Sequence, residues 1–191
     1  MGTTADDIDL LEDIDIAALG WRQRWLKEAR PEQLLPPGRD WDTAAWIGGR
    51  FMGKTRVLVE AGGWEAYRIP NLRIHAVSPT KGDIRKTFFE GPSGFLQRVP
   101  RELIRNYNRS LHELHFHNGS AVYGFSAEAE GDRLRGPACA LLLMDEVAAW
   151  NRPAGNLEAA YKAAVLGCRE PYPDGTPARK LLATTDRKSV M

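Results

Sequence analysis

Residues 48–55 read Gly48-Gly49-Arg50-Phe51-Met52-Gly53-Lys54-Thr55, a G-x-x-x-x-G-K-[ST] run, and no other stretch of the chain restricts its fold as much. Its glycines let the backbone curl until successive N–H groups point inward at one anion. A helix opening at Lys54 adds the partial positive charge of its N-terminus. Lys54 is then placed to reach the β- and γ-phosphates of a nucleotide such as ATP, and the Thr55 hydroxyl to ligate Mg²⁺. The flanks suit this geometry: Thr43–Ile47 is a short apolar run that predicts a buried strand, and Lys54–Tyr67 carries Val57, Leu58, Ala61 and Trp64 at helical spacing. Phe51 and Met52 are large for positions where backbone must approach a nucleotide closely. Their side chains are expected to point outward, with reduced turnover as the alternative.

The later segments complete the pattern. Arg73–Ser78 predicts a second strand, and Gly82–Phe89 a helix after the Pro79-Thr80 break. Leu114–Phe125 alternates around Asn118-Gly119, the signal of a type I′ hairpin. Ala140–Met144 is an unbroken apolar run, as a central parallel strand covered on both faces requires. A helix over Ala154–Leu166 and a strand over Lys180–Thr184 follow. The expected fold class is α/β: a P-loop NTPase of the RecA-like kind, with a central mostly parallel sheet flanked by helices, plus a β-hairpin. Asp145 and Glu146 directly follow the central strand. At the sheet edge beside the phosphate loop, Asp145 is expected to hold Mg²⁺ directly or through water, and Glu146 to orient or deprotonate an attacking water.

A chain of 191 residues fits one domain. Residues 1–16 read as an acidic, flexible arm with six acids and no basic residue, then a helix over Ala17–Ala29, with residues 17–191 expected to form the P-loop ATPase domain. The remainder holds 26 basic against 19 acidic residues, and 19 of the basic residues are Arg, the side chain whose planar fork matches phosphate. Arg98, Arg101, Arg105 and Arg109 recur at near-helical spacing after a start signal at Pro100, a candidate face for DNA or a neighbouring subunit. No apolar run is long enough to span a bilayer and no secretory signal is evident, so no membrane association is expected. Cys139 and Cys168 read as buried thiols. His112, His115 and His117 lack the companions of a zinc site, and the six tryptophans read as packing residues.

With both motifs in place, the chain resembles the ATPase domain of a tailed-phage, or phage-like, terminase large subunit from about Ala29 to Thr185. The resemblance is carried by Ala29-Arg30-Pro31-Glu32-Gln33, the phosphate loop through Arg56, Ser78-Pro79-Thr80, Arg133-Leu134-Arg135-Gly136-Pro137, Met144-Asp145-Glu146 and Ala183-Thr184-Thr185. It implies ATP hydrolysis that powers translocation of double-stranded DNA, with Arg30 and Gln33 near the adenine and Arg56 among the nucleotide-binding residues. It implies an arginine finger at Arg135 acting on a neighbour's nucleotide, Arg50 being a rival, and a coupling motif at Thr184 and Thr185. The implied partners are further copies in a ring, a small terminase subunit and a portal protein, in the cytoplasm of a bacterial host. Such terminases continue into a nuclease domain, so nuclease activity is not expected from these residues. Two alternatives stay open: a remnant that binds nucleotide or partners without turnover, and another P-loop ATPase or kinase.

Overall fold

The apolar runs assemble into one seven-stranded sheet: β1 (Thr43–Gly48), β2 (Arg73–Ser78), β3 (Ile104–Asn108), β4 (Glu113–Phe116), β5 (Ala121–Ser126), β6 (Leu141–Met144) and β7 (Arg179–Thr185). The structure is a computed structural model that describes residues 5–38, 40–128, 134, 137–150 and 157–186, the side chains of residues 5–12 and 157 excepted. Strand order is β1-β7-β6-β2-β5-β4-β3. The first five in that order run parallel, and β4 and β3 are added antiparallel through hairpin turns. Parallel neighbours need crossovers: α2 (Lys54–Arg68) lies between β1 and β2, α3 (Lys81–Asp83) and α4 (Phe95–Arg98) follow β2, and α5 (Leu157–Gly167) lies between β6 and β7, while α1 (Ala5–Glu28) precedes β1.

Strand alternation explains the two layers. Leu141 and Leu143 of β6 face one way with Ile74, where they meet Leu58, Phe95 and Trp21. Leu142 and Met144 face the other way with Val77, into a cluster with Trp150, Ala160 and Ala164. Every residue of β6 is fully buried, each leucine worth roughly 1.5–3 kcal/mol of burial. The α2 layer sits close because of Gly62 and Gly63. A Cβ on Gly62 would lie 2.7 Å from Leu143, and one on Gly63 2.8 Å from both Trp21 and Val99.

Four local expectations need correction. The helix predicted over Ala17–Ala29 starts earlier: α1 is one helix from Ala5 to Glu28, and its buried stripe of Ala18, Trp21 and Trp25 extends back to Ile14. The hairpin turn is not type I′, since only Gly119 has positive φ (86°). Asn118 instead sends its Nδ2 to Ala66 O and Tyr67 O at 2.8 and 2.9 Å, pinning the hairpin to the end of α2. The arginines from Arg98 to Arg109 share no helix. Arg98 ends α4, Arg101 lies in a 3₁₀ turn over Arg101–Leu103, Arg105 lies in β3 and Arg109 follows it. Pairing of Ile104 and Tyr107 with β4 wins over helical spacing there. Gly82–Phe89, read as one helix, is the α3 turn followed by a π-helix over Ile84–Phe89.

His75 of β2 is fully buried, and neither ring nitrogen has a partner among the described residues. Burial first, then Arg73 and Arg169, push its pKa down to about 4. The unfolded chain therefore takes up this proton first, so the stability is present above about pH 6.5 and lost as pH falls toward 4. About 2 kcal/mol should disappear between pH 7 and 5 on this account. Denaturant unfolding at both pH values should show that drop, and His75→Leu should remove most of it; an unchanged slope refutes the assignment.

Candidate nucleotide-binding site

The strand order decides which side chains meet. β7 lies between β1 and β6, with Gly48 opposite Thr185 in register. The C-terminal ends of the three strands therefore bring the glycine loop, the threonine pair and the acid pair to one edge of the sheet. Lys54, 8% exposed, opens α2 and folds its ammonium back over the loop. Its Nζ donates to Gly48 O at 3.0 Å, Gly49 O at 2.8 Å and Thr185 Oγ1 at 3.3 Å. Thr185 Oγ1 in turn donates to Glu146 Oε1 at 2.6 Å, and Thr185 N donates to Glu146 Oε2 at 3.2 Å. Thr55 Oγ1 lies 3.2 and 3.1 Å from the two carboxylate oxygens of Asp145. The acid pair and the phosphate loop thus form one hydrogen-bonded constellation.

Asp145 is 2% exposed, fixed by its N–H to Val77 O at 2.9 Å and by Trp150 Nε1 donating to its carbonyl at 2.9 Å. Burial and the adjacent Glu146 carboxylate push its pKa up to about 6, against the pull of the Thr55 hydroxyl and Lys54. A buried carboxylate held against a hydroxyl is an oxygen donor pair suited to a hard divalent cation such as Mg²⁺, whose charge would relieve the repulsion. Glu146 adopts a left-handed conformation, φ 48°, which costs a residue with a Cβ on the order of 1–2 kcal/mol. That bend directs its carboxylate to Thr185, away from its neighbour's surroundings.

The loop itself is bent at two points, Phe51 (φ 66°) and Gly53 (φ 73°). The Phe51 side chain is fully exposed and points away. Met52 does not: its Sδ covers Gly48, within 2.8 Å of where a Cβ would stand. Beside the loop opens a cleft of about 400 Å³ lined by Arg50, Asp83, Thr87, Asp145, Glu146 and Thr185, among others.

Other predicted residues lie apart from this cleft. Arg56 turns away to Glu28 at 2.6 Å and Glu60 at 3.2 Å. Arg30 and Gln33 both bond the carbonyl of Met52. Thr184 accepts from Ala148 N at 3.0 Å, so the two threonines hold different parts of the acid loop. Arg109 pairs with Glu90 at 2.7 Å, and Arg101 caps Ile104 O. Arg133, Arg135 and Gly136 lie outside the described residues. Sequence reasoning missed Asp83 and Thr87. The signal was there in Thr80-x-x-Asp83, where Thr80 Oγ1 caps Asp83 N at 3.1 Å and binds its carboxylate at 2.8 Å.

Solved structures supply the comparison. Over 88% of this chain, the large terminase of thermophilic bacteriophage D6E is similar at a TM-score of 0.60 and 20% identity. It is the fold of a large-terminase ATPase domain. The Thermus phage P74-26 large terminase ATPase domain matches over 96% of this chain and 70% of its own, with a TM-score of 0.58 and 17% identity. The HK97 bacteriophage large terminase matches over 88%, with a TM-score of 0.58 and 15% identity. This chain spans 38% of the D6E terminase and 37% of the HK97 terminase. The D6E terminase has also been solved with ADP, and in that form is similar at a TM-score of 0.58 and 20% identity. No protein-family model and no curated protein matches the sequence. Among the described residues no helix of this terminase-like fold is long and apolar enough to cross a membrane.

Proposed function

We propose that the chain hydrolyses ATP as the motor part of a terminase, driving double-stranded DNA. The observation that carries this reading is the linkage of Lys54 and Glu146 through the one hydroxyl of Thr185. It joins the cation proposed to bind an anion to the proposed base, at the same sheet edge as the Thr55–Asp145 pair. The loop amides and Lys54 bind and orient the β- and γ-phosphates. Thr55 and Asp145 would hold Mg²⁺, which when bound neutralises charge on the phosphate oxygens. Glu146 takes a proton from the attacking water as its oxygen bonds to the γ-phosphorus and the bond to the bridging oxygen breaks. ADP and inorganic phosphate leave. Thr185, sharing its hydrogen bonds between Lys54 and Glu146, registers the loss of the γ-phosphate and passes it into β7; Thr184 does so through Ala148.

Arg135 is assigned to the nucleotide of a neighbouring copy in a ring, and Arg50, on the cleft wall, is its rival. DNA or subunit contact is assigned to Arg98, Arg101, Arg105 and Arg109, and the small terminase subunit and portal protein are the proposed partners in a bacterial host's cytoplasm. A second reading, nucleotide binding without turnover, is favoured by Met52 Sδ lying over Gly48. Phosphate release measured over a range of protein concentrations, with and without double-stranded DNA, tests the proposal. Specific activity should rise with concentration, because each site is completed by another copy. Binding of ATP without phosphate release would favour the second reading, and activity independent of concentration would overturn the shared site.

A further inference from the structure

The end of α1 and the connector from it to β1 are tied to the helix, the strand and the loop backbone around residues 48–55. On the helix side, Glu28 at the end of α1 accepts from Arg56 Nη2 at 2.6 Å. Arg56 lies in the first turn of α2, its guanidinium 5.0 Å over Trp25 and its Nε bonded to the buried Glu60 at 3.2 Å. On the strand side, Trp46 Nε1 of β1 donates to Glu32 O at 2.8 Å. Between these anchors, Arg30 Nη2 and Gln33 Nε2 converge on a single acceptor, Met52 O, at 2.8 and 2.9 Å.

Both donors are aimed from behind. Gln33 Oε1 accepts from Arg30 N at 3.0 Å, so the amide can present only its NH₂ group to the loop. Glu32 pairs with Arg30 Nε at 3.0 Å and orients the guanidinium. The fit is close: a Cβ on Gly53 would lie 2.5 Å from Gln33 Nε2. Met52 stands between the two left-handed residues, Phe51 and Gly53, and Phe51 pays a conformational penalty there that something must offset. Two hydrogen bonds to the carbonyl between them stabilise that bend.

We propose that Arg30 and Gln33 are positioning residues that keep the phosphate loop curled through the Met52 carbonyl. The structural half stands on the contacts alone; the ligand half rests on the loop being a phosphate site. The test uses the full chain with Gln33→Ala, Gln33→Glu and Arg30→Ala, all at positions outside the core. Gln33→Glu keeps the size and loses the donor. Without nucleotide, hydrogen exchange of the loop amides from Arg50 to Lys54 should quicken about fivefold in each variant, the net worth of one hydrogen bond. Affinities for Mg-ATP and for Mg-tripolyphosphate should fall together by a similar factor, with melting unchanged. Unchanged exchange overturns the proposal. So does a loss confined to Mg-ATP, which would mark a base contact. If the wild type binds neither ligand, the phosphate-site reading fails while the exchange data still decide the clamp.

Discussion

Glu146→Gln is expected to slow ATP hydrolysis about a thousandfold, the middle of the range for removing a general base, while Mg-ATP affinity stays within a few-fold of wild type. Glutamine keeps the length and planarity of the side chain, and its carbonyl oxygen can still accept from Thr185 Oγ1, now 2.6 Å from Glu146 Oε1. The left-handed backbone at this position, φ 48°, is no harder for glutamine than for glutamate. What glutamine cannot do is take a proton from water. The variant should therefore trap nucleotide without cleaving it. Steady-state phosphate release together with a nucleotide titration on the same sample checks this, and residual activity within tenfold of wild type would remove Glu146 from the role of base.

Lys54→Ala should give the opposite signature, a loss of binding. The ammonium is almost wholly withdrawn from solvent and already held over the loop by Gly48 O and Gly49 O. An incoming phosphate thus meets a charge whose desolvation and ordering are complete, which makes it worth more than the same charge in water. Its loss should weaken Mg-ATP binding by about a hundredfold or more, on the scale of other preorganised donors. It also removes the positive charge that pulls against the raised pKa of Asp145. Calorimetric titration measures the effect; wild-type affinity in Lys54→Ala would mean that the loop does not bind phosphate.

Much of this could be read from residue order. The glycine loop, β2, the central strand and the two acids after it lie where the pattern put them in the fold, because each is a local signal: glycines at fixed offsets, an unbroken apolar run, two carboxylates after it. The fold class followed from the same runs. The role of Thr185 in linking Lys54 to Glu146 was not legible, since it depends on β7 inserting between β1 and β6, a long-range choice. Arg56 misled for the opposite reason. Its neighbours Lys54 and Thr55 turn to Thr185 and Asp145, but a helix turns about 100° per residue, and that rotation carries Arg56 to Glu28 and Glu60. The arginines from Arg98 to Arg109 misled because spacing alone does not distinguish a helix face from a turn followed by an edge strand. Asp83 and Thr87 reach the cleft wall through a cap and a π-helix, and irregular backbone of this kind leaves a faint trace in sequence.

The interposed strand also acts as a spacer. Neighbouring strands stand about 4.8 Å apart, so β7 holds β1 and β6 at roughly twice that separation. Were the two adjacent, the Lys54 ammonium, folded over the loop that follows β1, would meet the Glu146 carboxylate after β6 directly, without the Thr185 hydroxyl of β7 between them. One strand's width keeps opposite charges from cancelling each other and reserves the gap for something the size of a phosphate.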